Sequence, residues 1–318
     1  MKIVFLDAGT VDLGDVDISP LRRLGSYRAF ADTPPSQVVS RARGSDAVVT
    51  NKCVLGAPEI AALPRLKLIA VAATGVNNVD LAAARRKKIA VANVAGYSTA
   101  TVAEHALLFL LACSHRLREH HEAAWSEWSR SGRFALLDHP YADLCGKTLG
   151  VLGYGAIGRR VARLARAFGM KIAIARLPGR RYPATPKRKS LQEVLRLSDF
   201  VSLHCPLAAA TRHLINRTTL GWMRPGAFLL NLSRGAVVSE EDVAQALLKG
   251  RLAGYATDVL SREPPLQKHP LLDRRLRGKI LMTPHVAWAS RESRQRLVDE
   301  IARNIRAFQN GWRRNRIV

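Results

Sequence analysis

The segment Thr148-Leu149-Gly150-Val151-Leu152-Gly153-Tyr154-Gly155-Ala156-Ile157-Gly158 constrains this chain more than any other. A short apolar run enters G-x-G-x-x-G, and apolar residues then recur at helical spacing (Val161, Leu164, Ala165, Phe168). This is the strand, tight turn and helix of a dinucleotide-binding unit. Gly153 allows the turn, Gly155 lets the backbone approach a pyrophosphate, and Gly158 lets the helix pack closely on the strand. The helix N-terminus offers free N–H groups to the anion. Tyr154, Ala156 and Ile157 fill the same loop and belong to the candidate cofactor site.

A second apolar run, Lys171-Ile172-Ala173-Ile174-Ala175, ends where a ribose-reading residue belongs, and Arg176 stands there. An Asp or Glu would accept from the 2′-hydroxyl of NAD, whereas a guanidinium donates bidentate hydrogen bonds to a 2′-phosphate. With Arg180 and Arg181 close behind, the expectation is NADP ahead of NAD. The abundance of arginine elsewhere in the chain keeps NAD open.

At 318 residues the chain is long enough for two domains, each with its own core. Cys53, Cys113, Cys145 and Cys205 are scattered, with no C-x-x-C pair, which points to a reducing cytoplasm rather than a disulfide framework. Met1–Leu6 reads as a strand, too short for a signal peptide, and no apolar run approaches the roughly 18 residues of a membrane helix. Fifty Lys and Arg against 25 Asp and Glu give a formal charge of +25. Such a field steers carboxylates and phosphorylated cofactors and adheres weakly to nucleic acid. The charge is spread along the chain without aromatic interleaving or zinc-finger spacing, so specific nucleic-acid recognition is not expected.

Residues 1–95 alternate strand-like runs (Lys2–Leu6, Asp46–Thr50, Lys67–Ala72, Ile89–Val94) with helical segments near Pro35–Arg43 and Leu81–Lys87, which implies a small parallel sheet. A long helix is expected over Thr99–Arg118, buried through Val102, Ala106, Leu107, Leu110 and Leu111 and bridging two domains. Residues 120–147 carry Trp125 and Trp128 with weak periodicity, and an insertion of that kind fits a homodimer contact. After the glycine loop come a capping box at Ser190–Glu193 and strands at Phe200–His204, Ala227–Leu232, Ala253–Val259 and Lys279–Thr283. A capped helix is expected to start at Ser239-Glu240-Glu241-Asp242, and a last helix near Arg291–Phe308 to pack back on the first domain. His115, His120 and His121 miss H-E-x-x-H spacing and read as a solvated helix end, so no metal site is expected.

In combination, several motifs resemble the D-isomer-specific 2-hydroxyacid dehydrogenases. They are Ala73-Thr74-Gly75-Val76-Asn77-Asn78-Val79-Asp80, the glycine loop, His204-Cys205-Pro206-Leu207, Asn231-Leu232-Ser233-Arg234-Gly235, Ala256-Thr257-Asp258-Val259, Arg262-Glu263-Pro264-Pro265 and Thr283-Pro284-His285. Thr50-Asn51-Lys52 and His285-Val286-Ala287-Trp288-Ala289 look most like the glycerate dehydrogenase or hydroxypyruvate reductase branch. The chain departs from the common pattern at Asn77, where many relatives carry Asp, and at Arg176. The resemblance implies two Rossmann-like, doubly wound parallel-sheet α/β domains separated by a cleft. Residues 1–97 and 288–318 would form a discontinuous substrate domain and residues 98–287 the dinucleotide-binding domain. It also implies cofactor contacts from Thr101, Cys205, Pro206, Ser233 and Asp258, and substrate contacts from Asn51, Trp288 and the N–H groups of Gly75 and Val76.

The chemistry of a 2-keto acid matches three of these residues. Its carboxylate must be held while its carbonyl oxygen gains a proton. Arg234, just past a strand end, is suited to grip the carboxylate and polarise the carbonyl. His285 is a candidate general acid because imidazole titrates near neutrality. Glu263 would bond to that ring, orient it and stabilise imidazolium. In formate-oxidising relatives the matching acid is Gln, since formate yields no alcohol proton, so a Glu favours keto-acid chemistry. The expected reaction is reversible reduction of a small 2-keto acid, hydroxypyruvate or glyoxylate, to the D-2-hydroxy acid. The alternative is a nucleotide-sensing, corepressor-like binding protein of the same fold.

Overall fold

The computed structural model describes residues 1–318, which fall into two compact units: Met1–Ser98 with Trp288–Val318, and Thr99–Ala287.

The first unit is built on a five-stranded parallel sheet of β1 (Lys2–Phe5), β2 (Ser26–Ala29), β3 (Ala47–Thr50), β4 (Leu68–Val71) and β5 (Ala90–Ala92), in the order β2-β1-β3-β4-β5. Side chains alternate across a strand, and both faces of this sheet are covered, so its inner strands are mostly apolar. Ile3, Phe5, Val49 and Leu68 pack on one face with Leu297, Val298, Ile301 and Ile305 of the C-terminal helix Arg291–Gln309. Val4, Val48, Ile69 and Val91 pack on the other with Val38, Ile60, Ala83 and Ala84. Strand β2, Ser-Tyr-Arg-Ala, was not expected. It lies at the sheet edge with little burial and so carries no apolar alternation.

The second unit holds β6 (Thr148–Leu152), β7 (Lys171–Ile174), β8 (Phe200–Leu203), β9 (Ala227–Asn231), β10 (Leu252–Thr257) and β11 (Ile280–Met282), all parallel, in the order β11-β10-β9-β8-β6-β7. The order reverses at β6, which carries the glycine loop, and ligands of open α/β sheets bind at such a switch. The capping box at Ser190 forms, with Ser190 N–H donating to Glu193 Oε2 at 2.8 Å and Glu193 N–H to Ser190 Oγ at 3.2 Å.

Two local expectations need correction. The helix expected over Thr99–Arg118 stops at Ser114. Arg116 takes φ 48, a left-handed conformation, and a separate helix runs Leu117–Ala123. The buried face centres on Val102, Ala103, Ala106, Phe109 and Leu110, with Leu107 and Leu111 only half-buried, and the helix packs on Ala156–Ala167 of its own unit. Ser239 does precede the helix Glu240–Leu248, but its hydroxyl makes no capping bond.

Candidate active site

The glycine loop performs its separate tasks in space. Gly153 has φ 104, and a Cβ there would lie 2.5 Å from Cys205 N. A Cβ on Gly158 would lie 2.1 Å from the Gly153 carbonyl oxygen, so the helix Ala156–Ala167 sits directly on the turn. Gly155, the N-cap, has nothing within 4 Å of its Cβ position. The close approaches fill two glycines and leave open the one that faces an anion, which fits a dinucleotide pyrophosphate. Tyr154 lies between the two glycines of the turn, and Ala156 and Ile157 open the helix.

Next to this loop, His204 and Cys205 follow β8. His204 Nε2 is 2.9 Å from Ser202 Oγ, while its Nδ1 is enclosed without a partner. Burial lowers the His204 pKa to about 4 and raises that of Cys205 to about 11, so both stay neutral under the pyrophosphate turn. Pro206 is exposed, and Thr101 lies in the first turn of the helix Thr99–Ser114.

At the end of β7, Arg176 opens a basic segment. A cavity of about 410 Å³ is lined by Arg176, Arg180, Arg181, Lys187 and Arg188 around Tyr182, with no acidic side chain. The cations are not equivalent. Arg188 lies over the Tyr182 ring at 4.5 Å and donates to the Pro183 and Pro186 carbonyls at 3.4 and 3.2 Å, while Tyr182 Oη accepts from Leu177 N–H at 3.2 Å. Arg188 thus holds the loop, and Arg176, Arg180 and Arg181 stay exposed around the cavity.

The candidate acid–base residues lie on two loops of the same unit. His285 Nδ1 is 2.6 Å from Glu263 Oε2, and Glu263 Oε1 accepts from Leu260 N–H at 2.8 Å. A carboxylate accepts only, so Nδ1 carries the proton of the neutral ring. His285 has φ 57, unfavourable for a residue with a Cβ. Asp258 holds the chain there. One of its oxygens accepts from Thr283 Oγ at 2.6 Å and Val286 N–H at 2.8 Å, the other from Ala287 N–H at 2.9 Å. Behind it, His105 Nε2 is 3.1 Å from Thr283 Oγ, and burial lowers the His105 pKa. His105 and Thr283 were not read as functional, and a lone His inside a helix carries no sequence signal for this role.

Arg234 leaves the end of β9 in extended conformation. Asn231 ties its loop, accepting from Ser233 N–H at 3.1 Å and Ser233 Oγ at 2.9 Å and donating to the Arg234 carbonyl at 3.0 Å. Ser233 is therefore buried against its own loop.

In the first unit, Asn51 is buried and donates through Nδ2 to Thr10 Oγ at 3.0 Å. Asn78 Nδ2 donates to the Asn51 carbonyl at 3.4 Å, at the far end of the segment carrying Gly75 and Val76. Trp288 packs edge-to-face on Tyr97, centroids 6.2 Å apart. The histidines of the 115–121 stretch pack against aromatic rings. His115 and His120 lie 4.8 and 5.6 Å from Tyr141, His121 lies 6.3 Å from Trp125, and no group of three or more His, Cys, Asp or Glu is placed to hold a metal ion.

A glycine-loop strand–helix unit with a Glu–His pair and an Arg at neighbouring strand ends is the arrangement of a dinucleotide-dependent oxidoreductase. Residues 107–287 match the family model for the D-isomer specific 2-hydroxyacid dehydrogenase NAD-binding domain. The chain is 35% identical to a hydroxypyruvate reductase of Blautia hydrogenotrophica over 98% of both chains. It is also 35% identical to a glycerate dehydrogenase of Methylorubrum extorquens over 99% of this chain and 98% of that one. Among solved structures, an acyclic imino acid reductase (Bsp5) in complex with NADPH and D-Arg superposes with a TM-score of 0.86 at 26% identity, covering 100% of both chains. The chain belongs to the D-isomer-specific 2-hydroxyacid dehydrogenase family.

Proposed function

We propose that this dehydrogenase reduces hydroxypyruvate or glyoxylate to the D-2-hydroxy acid, with NADPH preferred. The observation that carries the reading is the 2.6 Å contact of His285 Nδ1 with Glu263 Oε2. The bound nicotinamide would supply the hydride. His285 would deliver a proton from Nε2 to the carbonyl oxygen while Glu263 stabilises the imidazolium. Arg234 would clamp the carboxylate through its planar fork, with Gly75 and Val76 N–H groups, Asn51 and Trp288 as further substrate contacts. Gly153, Tyr154, Gly155, Ala156, Ile157 and Gly158 would hold the pyrophosphate, and Thr101, Cys205, Pro206, Ser233 and Asp258 would line the nicotinamide side. The geometry favours catalysis over sensing alone, since a binding protein has no use for an acid–base pair held on a strained turn.

The arginine-rich lining around Arg176, which holds no acidic side chain, supports NADP, and the NADPH named for the imino acid reductase is consistent with it. The relatives named for hydroxypyruvate and glycerate support the substrate class. We also propose a homodimer through residues 120–147. Trp125, Phe134 and Leu137 are 82%, 98% and 80% exposed, and a mainly apolar cavity of about 710 Å³, containing none of the candidate site residues, opens beside Leu117 and His121. Analytical ultracentrifugation would return a monomer if this is wrong. No helix is long and apolar enough to cross a membrane, and all four cysteines are unpaired, in keeping with a cytoplasmic enzyme. The deciding experiment follows loss of NADPH or NADH absorbance with hydroxypyruvate or glyoxylate, and its gain from NADP+ or NAD+ with formate. Turnover confined to a keto acid supports the reading, and its absence with every keto acid refutes it.

A further inference from the structure

The Glu263–His285 pair rests on a second carboxylate that the reaction does not use. Glu240 begins the helix Glu240–Leu248 and is 9% exposed, and a carboxylate buried to that degree needs bonds to offset lost hydration. Its partners lie on the segment that carries Glu263. Oε1 accepts from Ser261 N–H at 2.7 Å, Oε2 accepts from the Ser261 hydroxyl, and His269 Nε2 is 3.1 Å from the same Oε2. His269 Nδ1 accepts from Leu271 N–H at 3.3 Å. The proton of the neutral ring is therefore on Nε2 and is donated to Glu240.

A second contact meets the same strip from the other direction. A Cβ on Gly235 would lie 1.9 Å from the Leu260 carbonyl carbon and 2.1 Å from Ser261 N. Only glycine lets the two backbones touch there, and Gly235 directly follows Arg234. Leu260 and Ser261 are thus held between the Arg234 loop and the Glu240 carboxylate, and Leu260 N–H donates to Glu263 itself.

We propose that Glu240, acting through Ser261 and His269, is a positioning residue for this dehydrogenase, fixing the Glu263–His285 pair relative to Arg234. The inference rests on the catalytic reading of His285 and Glu263. Misplacement of reacting groups by about 1 Å costs up to roughly 100-fold in rate. In the full-length enzyme, Glu240→Gln removes an acceptor that Ser261 and His269 share, and kcat should fall roughly 10- to 100-fold. NADPH affinity should not change, and the pH profile of kcat/KM should be displaced as Glu263 leaves His285. His269→Gln, whose amide still donates to Glu240, should retain most activity, whereas His269→Leu should lose it. This pair keeps the test open should Glu240→Gln fail to fold. If His285→Ala abolishes turnover while Glu240→Gln or His269→Leu leaves kcat and the pH profile unchanged, Glu240 only stabilises the fold and the proposal falls. If His285→Ala itself retains turnover, the underlying catalytic reading falls instead.

Discussion

Glu263→Gln is the most informative single change, because the amide cannot do what the carboxylate does. Glu263 accepts twice, from Leu260 N–H at 2.8 Å and from His285 Nδ1–H at 2.6 Å. A glutamine has one acceptor oxygen. With that oxygen turned to His285, its NH₂ faces Leu260 N–H; with the oxygen turned to Leu260, its NH₂ faces Nδ1 and forces the proton of the ring onto Nε2. Either way imidazolium loses its counter-charge. A hydrogen bond to a charged group contributes about 1.5–3 kcal/mol. The side chains of His285 and Glu263 are 27% and 35% exposed, so solvent screening reduces this to about 1–2 kcal/mol. The amide donor left facing a second donor adds about 1 kcal/mol. Together these give about 2–3 kcal/mol and predict that kcat/KM for hydroxypyruvate falls roughly 30- to 150-fold near neutral pH, with part of the loss recovered at lower pH, where the ring is protonated without help. NADPH binding, followed by fluorescence, should be unaffected. Should the variant keep more than about half of the parent kcat/KM across the range, Glu263 is not coupled to proton transfer and the argument from its two donors fails.

Arg234→Lys keeps the charge but not the planar fork, so the rate with a keto acid should drop by at least roughly tenfold through lost orientation; unchanged steady-state kinetics would leave the carboxylate to Gly75 and Val76. Arg176→Asp should reverse the cofactor preference by roughly ten- to a hundredfold, because a charge-assisted bond to the 2′-phosphate is replaced by repulsion. Equal KM values for NADPH and NADH in the unmodified enzyme would remove the basis for that prediction. His204 is neutral in the folded chain with a pKa of about 4, against roughly 6.5 when unfolded. Between these values the unfolded state binds the extra proton, so its contribution to stability is present above about pH 6.5 and is lost as pH falls toward 4, up to about 3 kcal/mol. Urea midpoints measured over that window for the parent and a His204→Gln variant should converge at low pH, and parallel curves would contradict the burial argument.

What the sequence made legible follows physical periodicity. Both sheets were readable because strands covered on both faces are mostly apolar runs, and the glycine loop because Gly153 and Gly158 answer steric demands while Gly155 leaves room for an anion. Strand β2 was not, since an exposed edge strand carries no alternation. The break at Arg116 was not, because nothing in an arginine announces a left-handed conformation. Glu240 was read only as part of a capped helix start at Ser239-Glu240-Glu241-Asp242, which says nothing of its distant partners. Its partners Ser261 and His269 come 21 and 29 residues later, a separation that no local pattern spans.

The two buried aspartates show what kind of knowledge was missing. Asp258 follows β10 and accepts from Val286 and Ala287 N–H, which follow the neighbouring β11. Asp7 follows β1 and accepts from Asn51, Lys52 and Cys53 N–H at 2.8, 2.5 and 2.9 Å, which follow the neighbouring β3. In a parallel sheet the C-terminal ends of adjacent strands lie side by side, so a carboxylate just past one strand reaches the backbone donors just past the next. Each unit uses this device to fix a loop that carries a candidate site residue, His285 in one and Asn51 in the other. Two aspartates with no motif in common therefore perform one task, and strand order, which the sequence does not state, is what makes that task visible.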